Sequence, residues 1–402
     1  SCDHHRLVPL SCTGRGFCPS CCGRRMAELA DHWVQRVFPA GRAVRQWVLT
    51  LPWGRRGLIA YRADLCGRVR QAFVDELRCW YAERGEAHGA PAGAQTGLVT
   101  VLHRAGSALQ HHVHFHVLAV QGVFGRDDHG QVHFTSVPAP TTDEVGALVV
   151  RVAHRVERLL ARLGYGPEDE VFVDDNDAMS ALQAASAAHR AALGPRAGRR
   201  TRRTRMLGGR EVPLPPRCVA YEGYNLHGGV VVGGHDRPAL VRLCRYIARP
   251  PLAKCRLEQR QDGALVLRMK RAWSDGTTSI VFDPVELIGK LVALIPPRRL
   301  HLVTYAGVFA SRSSLRADVV PVPPPDEEVY KKVCAHPSAS SRWQPWARLM
   351  KLVFGLDSWA CPRCGGQMEL RAILRGPRVI ERVRAGLHRS SLGPPWPPEV
   401  FT

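Results

Sequence analysis

Four histidines stand within one short apolar stretch of the sequence, at positions 111, 112, 114 and 116. Read with period two, the stretch 110–120 places His112, His114 and His116 on one side and valine, phenylalanine and alanine residues on the other. This pattern predicts a half-buried strand with one apolar face and one imidazole face. Because side chains at i and i+2 of a strand point the same way, two of these imidazoles could hold one divalent cation. The alternative is a polar sheet face with solvated histidines.

A tyrosine lies on a strongly basic predicted helix, in the stretch HDRPALVRLCRYIARPPL. Asp236 is suited to cap the start of this helix, and prolines stop it at its end. The helical period places Tyr246 outside the apolar stripe and beside Arg242, Arg245 and Arg249. Its phenol could attack a phosphate that the guanidinium groups hold. The alternative is an ordinary surface tyrosine.

The 13 cysteines are odd in number and grouped in short pairs, which favours metal binding over a disulfide framework. Zinc takes four thiolate or imidazole ligands in a tetrahedron, and a CxxC pair supplies two of them from one turn. The N-terminal group predicts a structural zinc site, with reduced core thiols as the alternative. The C-terminal pair is half a zinc site, or it is vestigial. The candidate ligands are Cys2, Cys12, Cys18 and Cys21, with His4 or His5 nearby, and then Cys361 and Cys364.

The chain is strongly basic, with 56 Lys and Arg against 35 Asp and Glu and a formal charge of +21. Such an excess, mostly arginine, predicts a polyanionic partner because guanidinium groups suit phosphate. The run GPRAGRRTRRTRMLGGR carries seven arginines and no acid. It could be a solvated loop, or it could follow a phosphate backbone and raise affinity without reading sequence. The candidate DNA-binding residues of this run are Arg199, Arg200, Arg202 and Arg203.

The start of the sequence bears on location and completeness. There is no apolar run of about 18 residues, and no basic segment followed by an apolar one at the start, so we expect a soluble, cytoplasmic protein. The sequence begins without methionine, inside a cysteine group. We therefore expect residues upstream of Ser1 to be missing.

Periodicity predicts the elements that must position these residues. Strands are predicted at 45–51, 97–102, 110–120, 224–234, 264–270, 277–283 and 299–309, and helices at 58–84, 143–163, 176–192, 237–249 and 284–296. Together they indicate an α+β fold with a central antiparallel sheet, packed helices and small cysteine-rich zinc modules at its flanks. The predicted organisation is a zinc-binding domain at 1–44, a catalytic domain at 45–320 with a helical and arginine-rich insertion at about 140–216, a linker at 321–345, and a C-terminal CxxC module at 346–402.

The order of cysteine knuckle, HxH strand and tyrosine on a basic helix resembles the HUH-type rolling-circle transposases of bacterial insertion sequences, including those of the common-region elements. Further landmarks cover nearly the whole chain: SCTGRGFCPSC, RQWVLTLP, LCRYIARPPL, DGTT, GVFASRSSLRADVVP and CPRCGG. The resemblance implies an HUH-nuclease-like fold, single-stranded DNA as the main partner, Mg²⁺ or Mn²⁺ and Zn²⁺ as cofactors, and association with the bacterial nucleoid.

The resemblance also implies residue roles. His114 and His116, which flank Phe115, would hold the divalent ion, and Tyr246 would form a 5′-phosphotyrosine link to single-stranded DNA. Two histidines under-coordinate a hard cation, so a third protein ligand is expected. The candidates for this third ligand are His112, Gln46, His227 and His301.

The sequence departs from the family pattern in three places. Many members carry two tyrosines four residues apart, but Arg242 occupies the position one turn before Tyr246, so the chain resembles the single-tyrosine branch. A family histidine expected after Tyr305 is Ala306 here. The upstream half of the first cysteine pair is also absent.

Two other functions are consistent with some of these motifs. An HxH strand also opens the metal site of amidohydrolase barrels, but that fold needs eight βα repeats, which the sequence lacks. A zinc-knuckle protein or decayed transposase would bind DNA without cutting it. Metal-dependent cleavage of a single strand, with protein left attached, separates these alternatives.

Overall fold

A computed structural model describes residues 4, 5, 7, 16–166, 177–206, 213–297, 299–321, 351, 357, 359–369, 374 and 377–388. Its strands are β1 (Val44–Thr50), β2 (Gly97–Ala105), β3 (His111–Val120), β4 (Gly122–Arg126), β5 (Val132–Ser136), β6 (Arg202–Arg205), β7 (Cys218–Tyr221), β8 (Tyr224–Val232), β9 (Leu257–Gln259), β10 (Leu265–Arg268), β11 (Thr277–Phe282) and β12 (Val303–Gly307). The main sheet has the order β12-β2-β3-β1-β8-β7, and all its neighbours are antiparallel. The α+β class with a large antiparallel sheet is confirmed, and the parallel-stranded amidohydrolase barrel is excluded.

The structure describes nine helices, some of which pack on the two faces of this main sheet. They are α1 (Pro19–Arg36), α2 (Trp53–Tyr61), α3 (Ala63–Ala87), α4 (Thr142–Arg162), α5 (Ala178–Ala187), α6 (Arg237–Ala248), α7 (Pro284–Ala293), α8 (Arg316–Val319) and α9 (Pro377–His388), with a 3-10 turn at Lys254–Arg256. Among the described residues, no helix is both long and apolar enough to cross a lipid bilayer.

The predicted alternation of β3 is confirmed. Its apolar side packs with α3 and α4 in one core cluster, and Val113, Phe115, Val117 and Ala119 are all fully buried there. On the opposite side, Leu118 and Val120 pack with residues of α1 and α6 in a second cluster. The histidine face is therefore covered along part of its length by helices and is not an open polar surface.

The prediction of one helix over 58–84 is wrong, because two helices occupy this stretch. Arg62 separates α2 from α3 with an extended backbone, at φ −91° and ψ 99°. Its guanidinium donates to both carboxylate oxygens of Asp64 at 3.0 Å and to the Tyr165 hydroxyl at 2.8 Å. These partners stabilise the break, and Ile59 and Val69 on the two sides reach the same core.

The helix α4 belongs to the main core, although it lies within the segment predicted to be an insertion. Thr141 and Glu144 form a reciprocal capping box at its start. Its valine and leucine stripe is buried in the cluster that includes Phe115 of β3. Because its apolar face fills this core, α4 supports the strand that carries the histidines.

A smaller antiparallel sheet has the order β6-β11-β10-β9. The arginine-rich run supplies its edge strand, with Arg202 opposite Val281 and Arg203 opposite Ile280. A solvated loop was one interpretation of this run, but part of the run forms a strand. Leu109, in the turn between β2 and β3, packs in the core of this small sheet, which joins it to the histidine strand.

Candidate functional site

Three histidines on two neighbouring strands of the main sheet form a compact group. His103 of β2 lies directly opposite His114 of β3, and His116 follows two residues later. One ring nitrogen of each residue lies within 4.8 Å of those of the other two. The ring centroids of His103 are 5.1 Å from those of His114 and 4.3 Å from those of His116. We refer to His103, His114 and His116 as the histidine triad.

Hydrogen bonds to backbone carbonyls fix the tautomers of two triad members. His103 Nε2 lies 2.5 Å from the Ile247 carbonyl oxygen, and His114 Nδ1 lies 2.9 Å from the His112 carbonyl oxygen. A carbonyl only accepts, so each of these nitrogens carries the proton. His103 Nδ1 and His114 Nε2 are then the lone-pair nitrogens that a cation can use.

Gln46 of β1 contacts the third member. Its amide nitrogen lies 2.7 Å from His116 Nδ1, and both side chains are buried. In this orientation His116 Nδ1 accepts, so Nε2 is protonated and cannot bind a cation. Rotating the amide by 180° brings Oε1 to His116 Nδ1–H and frees Nε2. Gln46 therefore sits beside the triad and can set the tautomer of His116.

Burial keeps the triad neutral. Desolvation lowers the pKa of His103 to about 4, more than the Ile247 carbonyl raises it, and Arg249 lowers it further. Burial likewise lowers the pKa of His114 and His116 well below the usual range, with His103 adding to both effects. Neutral imidazole is the form that binds a metal. The triad thus fits a divalent cation in both its spacing and its protonation state.

Tyr246 lies on α6, one residue before the carbonyl that His103 contacts. The helix forms as predicted: the Asp236 side chain accepts from the Ala239 amide at 2.8 Å, and α6 ends at Ala248. Tyr246 is 47% exposed, so its ring can meet a ligand in solution. The hydrogen bond between His103 and Ile247 places this end of α6 against the triad.

Arg249 joins the tyrosine to the triad. It lies just beyond the helix with an extended backbone, and not on the helix face that the sequence predicts. Its guanidinium carbon is 4.2 Å from the centroid of the Tyr246 ring. It is also close enough to lower the pKa of His103 and His116. Arg242 is exposed and Arg245 is half-buried on the same helix.

Cationic side chains lie near the triad, and the described residues give it no acidic hydrogen-bond partner. Arg56 lowers the pKa of His112 and His114, after the larger effect of burial. Among the residues that the structure describes, no carboxylate forms a hydrogen bond with the triad or with Arg249. Within the described part of the chain, the ligands of a cation bound here would therefore have no carboxylate among their hydrogen-bond partners. The charge pattern therefore favours a ligand that brings its own negative charge, such as phosphate.

The candidates for the third metal ligand lie at different distances from the triad. His112 is next to it, with its ring centroid 4.9 Å from that of His114. His227 occupies the same row of the main sheet two strands away, across Val48 from His116. His301 is exposed, and its carbonyl accepts from Arg70. The structure gathers His103 instead, a residue that we did not single out from the sequence.

The cysteine and arginine candidates lie elsewhere. Cys2 and Cys12 are outside the described residues, whereas Cys18 and Cys21 flank the start of α1, with Arg24 Nη2 3.4 Å from the Cys21 sulfur. Near the other end of the chain, the Cys361 amide donates to the Gly366 carbonyl in a tight turn that also contains Cys364. The remaining DNA-binding candidates are exposed or half-buried, at Arg199, Arg200, Arg202 and Arg203.

Two parts of the chain match families of known proteins. Residues 97–316, more than half of the 402, match the family described as "Putative transposase" (Y2_Tnp), and this region includes the triad and Tyr246. Residues 1–51 match the family described as "Transposase zinc-binding domain". No curated protein and no solved structure matches the chain. An antiparallel α+β domain with a histidine site and an N-terminal zinc-binding domain is thus a DNA-processing transposase in class. The chain belongs to the Y2_Tnp transposase family.

Proposed function

We propose that this transposase cleaves and rejoins single-stranded DNA by rolling-circle chemistry, with Tyr246 as the nucleophile and the histidine triad as the site of a divalent ion. The observation that carries the proposal is the hydrogen bond from His103 to the Ile247 carbonyl. It joins a metal-binding geometry to the backbone next to an exposed tyrosine. Both groups needed to cleave a phosphodiester then lie on one surface.

In this proposal each group has one role. His103, His114 and His116 would hold Mg²⁺ or Mn²⁺, which polarises a non-bridging phosphate oxygen when bound. The Tyr246 oxygen forms a bond to phosphorus, and the bond from phosphorus to the 3′-oxygen breaks. The phenol proton goes to solvent, and the 3′-oxygen leaves as a hydroxyl. The 5′-phosphotyrosine link keeps the bond energy, so a later 3′-hydroxyl can reverse the step and join DNA without ATP.

Arginines hold the strand in place. Arg249 stacks on the Tyr246 ring, where its guanidinium group would contact the phosphate that the phenol attacks. Arg242 and Arg245 lie on the same helix, where they would contact neighbouring phosphates. We also propose that Cys18 and Cys21, with Cys2 and Cys12, hold the zinc of the N-terminal domain, and that Cys361 and Cys364 form a second knuckle.

Two other tyrosines, Tyr224 and Tyr305, have hydroxyl groups that are bonded inside the fold. The Tyr224 hydroxyl donates to a Glu157 carboxylate oxygen at 2.5 Å, and the side chain is 1% exposed. The Tyr305 hydroxyl accepts from Trp33 Nε1 at 3.1 Å. Each would have to break a buried contact before it could attack a phosphate. Tyr246 is the better-placed phenol.

A binding-only protein is the alternative, and one experiment separates the two. Wild-type protein is incubated with a 3′-labelled single strand that carries an element end, with and without Mn²⁺, and run on a denaturing gel. The proposal predicts that label moves to the protein's position only with Mn²⁺. Tight binding without any covalent label would favour the non-catalytic alternative.

A further inference from the structure

A row of imidazole and cationic side chains leads away from the triad. His112 follows His114 at 4.9 Å between ring centroids, and its Nε2 is buried without a hydrogen-bond partner among the described residues. Arg56 and His189 lie close enough to His112 for their charges to act on it. His112 therefore extends the row from the triad toward Arg56 and His189.

His189 is held at the next position of this row. Its backbone is in the left-handed region, with φ +55°. Its carbonyl oxygen accepts from both the amide and the hydroxyl of Thr201, each at 2.9 Å. This pair of bonds ties the helical segment after α5 to the start of the arginine strand β6. The next cations along the row are Arg200, directly before Thr201, and Arg203, two residues after it.

A tryptophan fixes the far end of the row. Trp273 Nε1 donates to the Ser107 hydroxyl at 3.1 Å, in the turn that leads into the histidine strand. Its ring lies 5.1 Å from the Arg203 guanidinium carbon and 5.9 Å from the His189 ring. The Trp273–Ser107 bond thereby fixes the small sheet to the main sheet at the end nearest His112.

An arginine-lined cavity opens at this point. Its volume is about 360 Å³, and Arg200, Thr201, Arg203 and Arg205 line it. Asp275 pairs with two of these arginines, at 3.2 Å from Arg203 and 3.3 Å from Arg205. The cavity thus has three guanidinium groups, two of which share one carboxylate. The cavity keeps a positive surplus and has guanidinium donors, which bind the oxygens of a phosphodiester.

We infer that this cavity is a second phosphate subsite, which binds the backbone of the same DNA strand several nucleotides away from the phosphate at the triad. His112, Arg56 and His189 line the path between the two subsites. The inference rests on the proposed function, since it takes the triad to hold the scissile phosphate. In this inference Arg200 and Arg205 hold the DNA strand and take no part in its cleavage.

The test compares two double variants that remove the same charge from the small sheet. Arg200→Ala/Arg205→Ala empties the cavity of two guanidinium groups. Arg260→Ala/Arg268→Ala removes two exposed arginines of the β9–β10 hairpin, which pair with Asp262 and Glu258. Binding of fluorescent oligo-dT strands of increasing length is measured over a range of salt concentrations.

The cavity variant should bind long strands on the order of tenfold more weakly, and its slope of log K against log salt should fall by about 1.4 for two lost phosphate contacts. Short strands that do not reach the cavity should bind both variants alike. Equal affinity and slope for the two variants would overturn the subsite. Absence of an adduct in the wild type would count against the proposed function instead, because the binding comparison does not depend on cleavage.

Discussion

His103 Nε2 donates to the carbonyl oxygen of Ile247 at 2.5 Å, across 144 residues of sequence. This bond does two things at once. It leaves His103 Nδ1 as the nitrogen that can face a cation, and it anchors the end of α6 that carries Tyr246. The bond thus links a histidine that we propose as a metal ligand to the tyrosine that we propose as the nucleophile.

Replacing His103 tests whether the third ligand comes from β2. His103→Ala should weaken Mn²⁺ binding by about 100-fold or more and should abolish cleavage. A residue that only orients a metal ligand usually contributes about 10–100-fold. His301→Ala is the matched control, because His301 is exposed and away from the triad. Calorimetric titration of Mn²⁺ in the presence of an uncleavable single strand measures the effect. Equal Mn²⁺ affinity in the two variants would remove His103 from the site.

Gln46 should act through the tautomer of His116. Once its amide is turned so that Oε1 faces His116 Nδ1–H, Gln46 is the acceptor that leaves His116 Nε2 free, so Gln46→Ala should weaken Mn²⁺ binding by about 10–100-fold. Gln46→Glu keeps an oxygen at that place and should restore most of the affinity. A role in packing alone would give the opposite order, since the buried carboxylate would then be the more damaging change.

His189 should make stability depend on pH. Burial, followed by Arg203, Lys290, Arg56 and Arg200, lowers its pKa to about 4, against about 6.5 in an unfolded chain. As the pH falls from 6.5 to 4, the unfolded chain takes up a proton that folded His189 does not, so stability is lost.

His189→Asn removes this titration and tolerates the left-handed backbone. Between pH 7 and pH 5 the wild type should lose about 1 kcal/mol more unfolding free energy than the variant. Urea unfolding at the two pH values measures the difference. Parallel losses in wild type and variant would show that His189 has an ordinary pKa.

Local periodicity in the sequence was sufficient to predict part of the site. Alternation over 110–120 identified the face of His114 and His116, and helical spacing identified Tyr246 as a surface residue beside arginines. His103 was missed because a single histidine at the end of an apolar strand carries no pattern. The register of the β2–β3 hairpin contains that signal, since pairing back from the turn places His103 opposite His114.

Other features depend on contacts that the sequence does not display. The break at Arg62 is stabilised by partners two and 103 residues away. The helical period of 58–84 continues through Arg62, so the sequence alone does not show this break. Likewise the arginine run has no apolar alternation, and it becomes a strand only because β11 offers an edge for pairing.

Zinc in the N-terminal domain should depend on the CxxC pair. Purified protein should contain zinc, and Cys18→Ser or Cys21→Ser should remove about one equivalent, because a structural site needs all its ligands. Cys79→Ser, on the exposed side of α3, is the control and should keep the full content. Elemental analysis of the wild type and the three variants measures the zinc content. Unchanged zinc in the CxxC variants would exclude this pair as ligands.

Capture of DNA by Tyr246 tests the central claim most directly. Wild type, Tyr246→Phe and the control Tyr305→Phe are incubated with a 3′-labelled single strand and Mn²⁺, and separated on a denaturing gel. Tyr246→Phe removes only the hydroxyl of an exposed ring, so fold and single-strand affinity should be kept. Label should move to the protein in wild type and in Tyr305→Phe, and not in Tyr246→Phe. A labelled band of wild-type intensity in Tyr246→Phe would contradict the assignment of this tyrosine as the nucleophile.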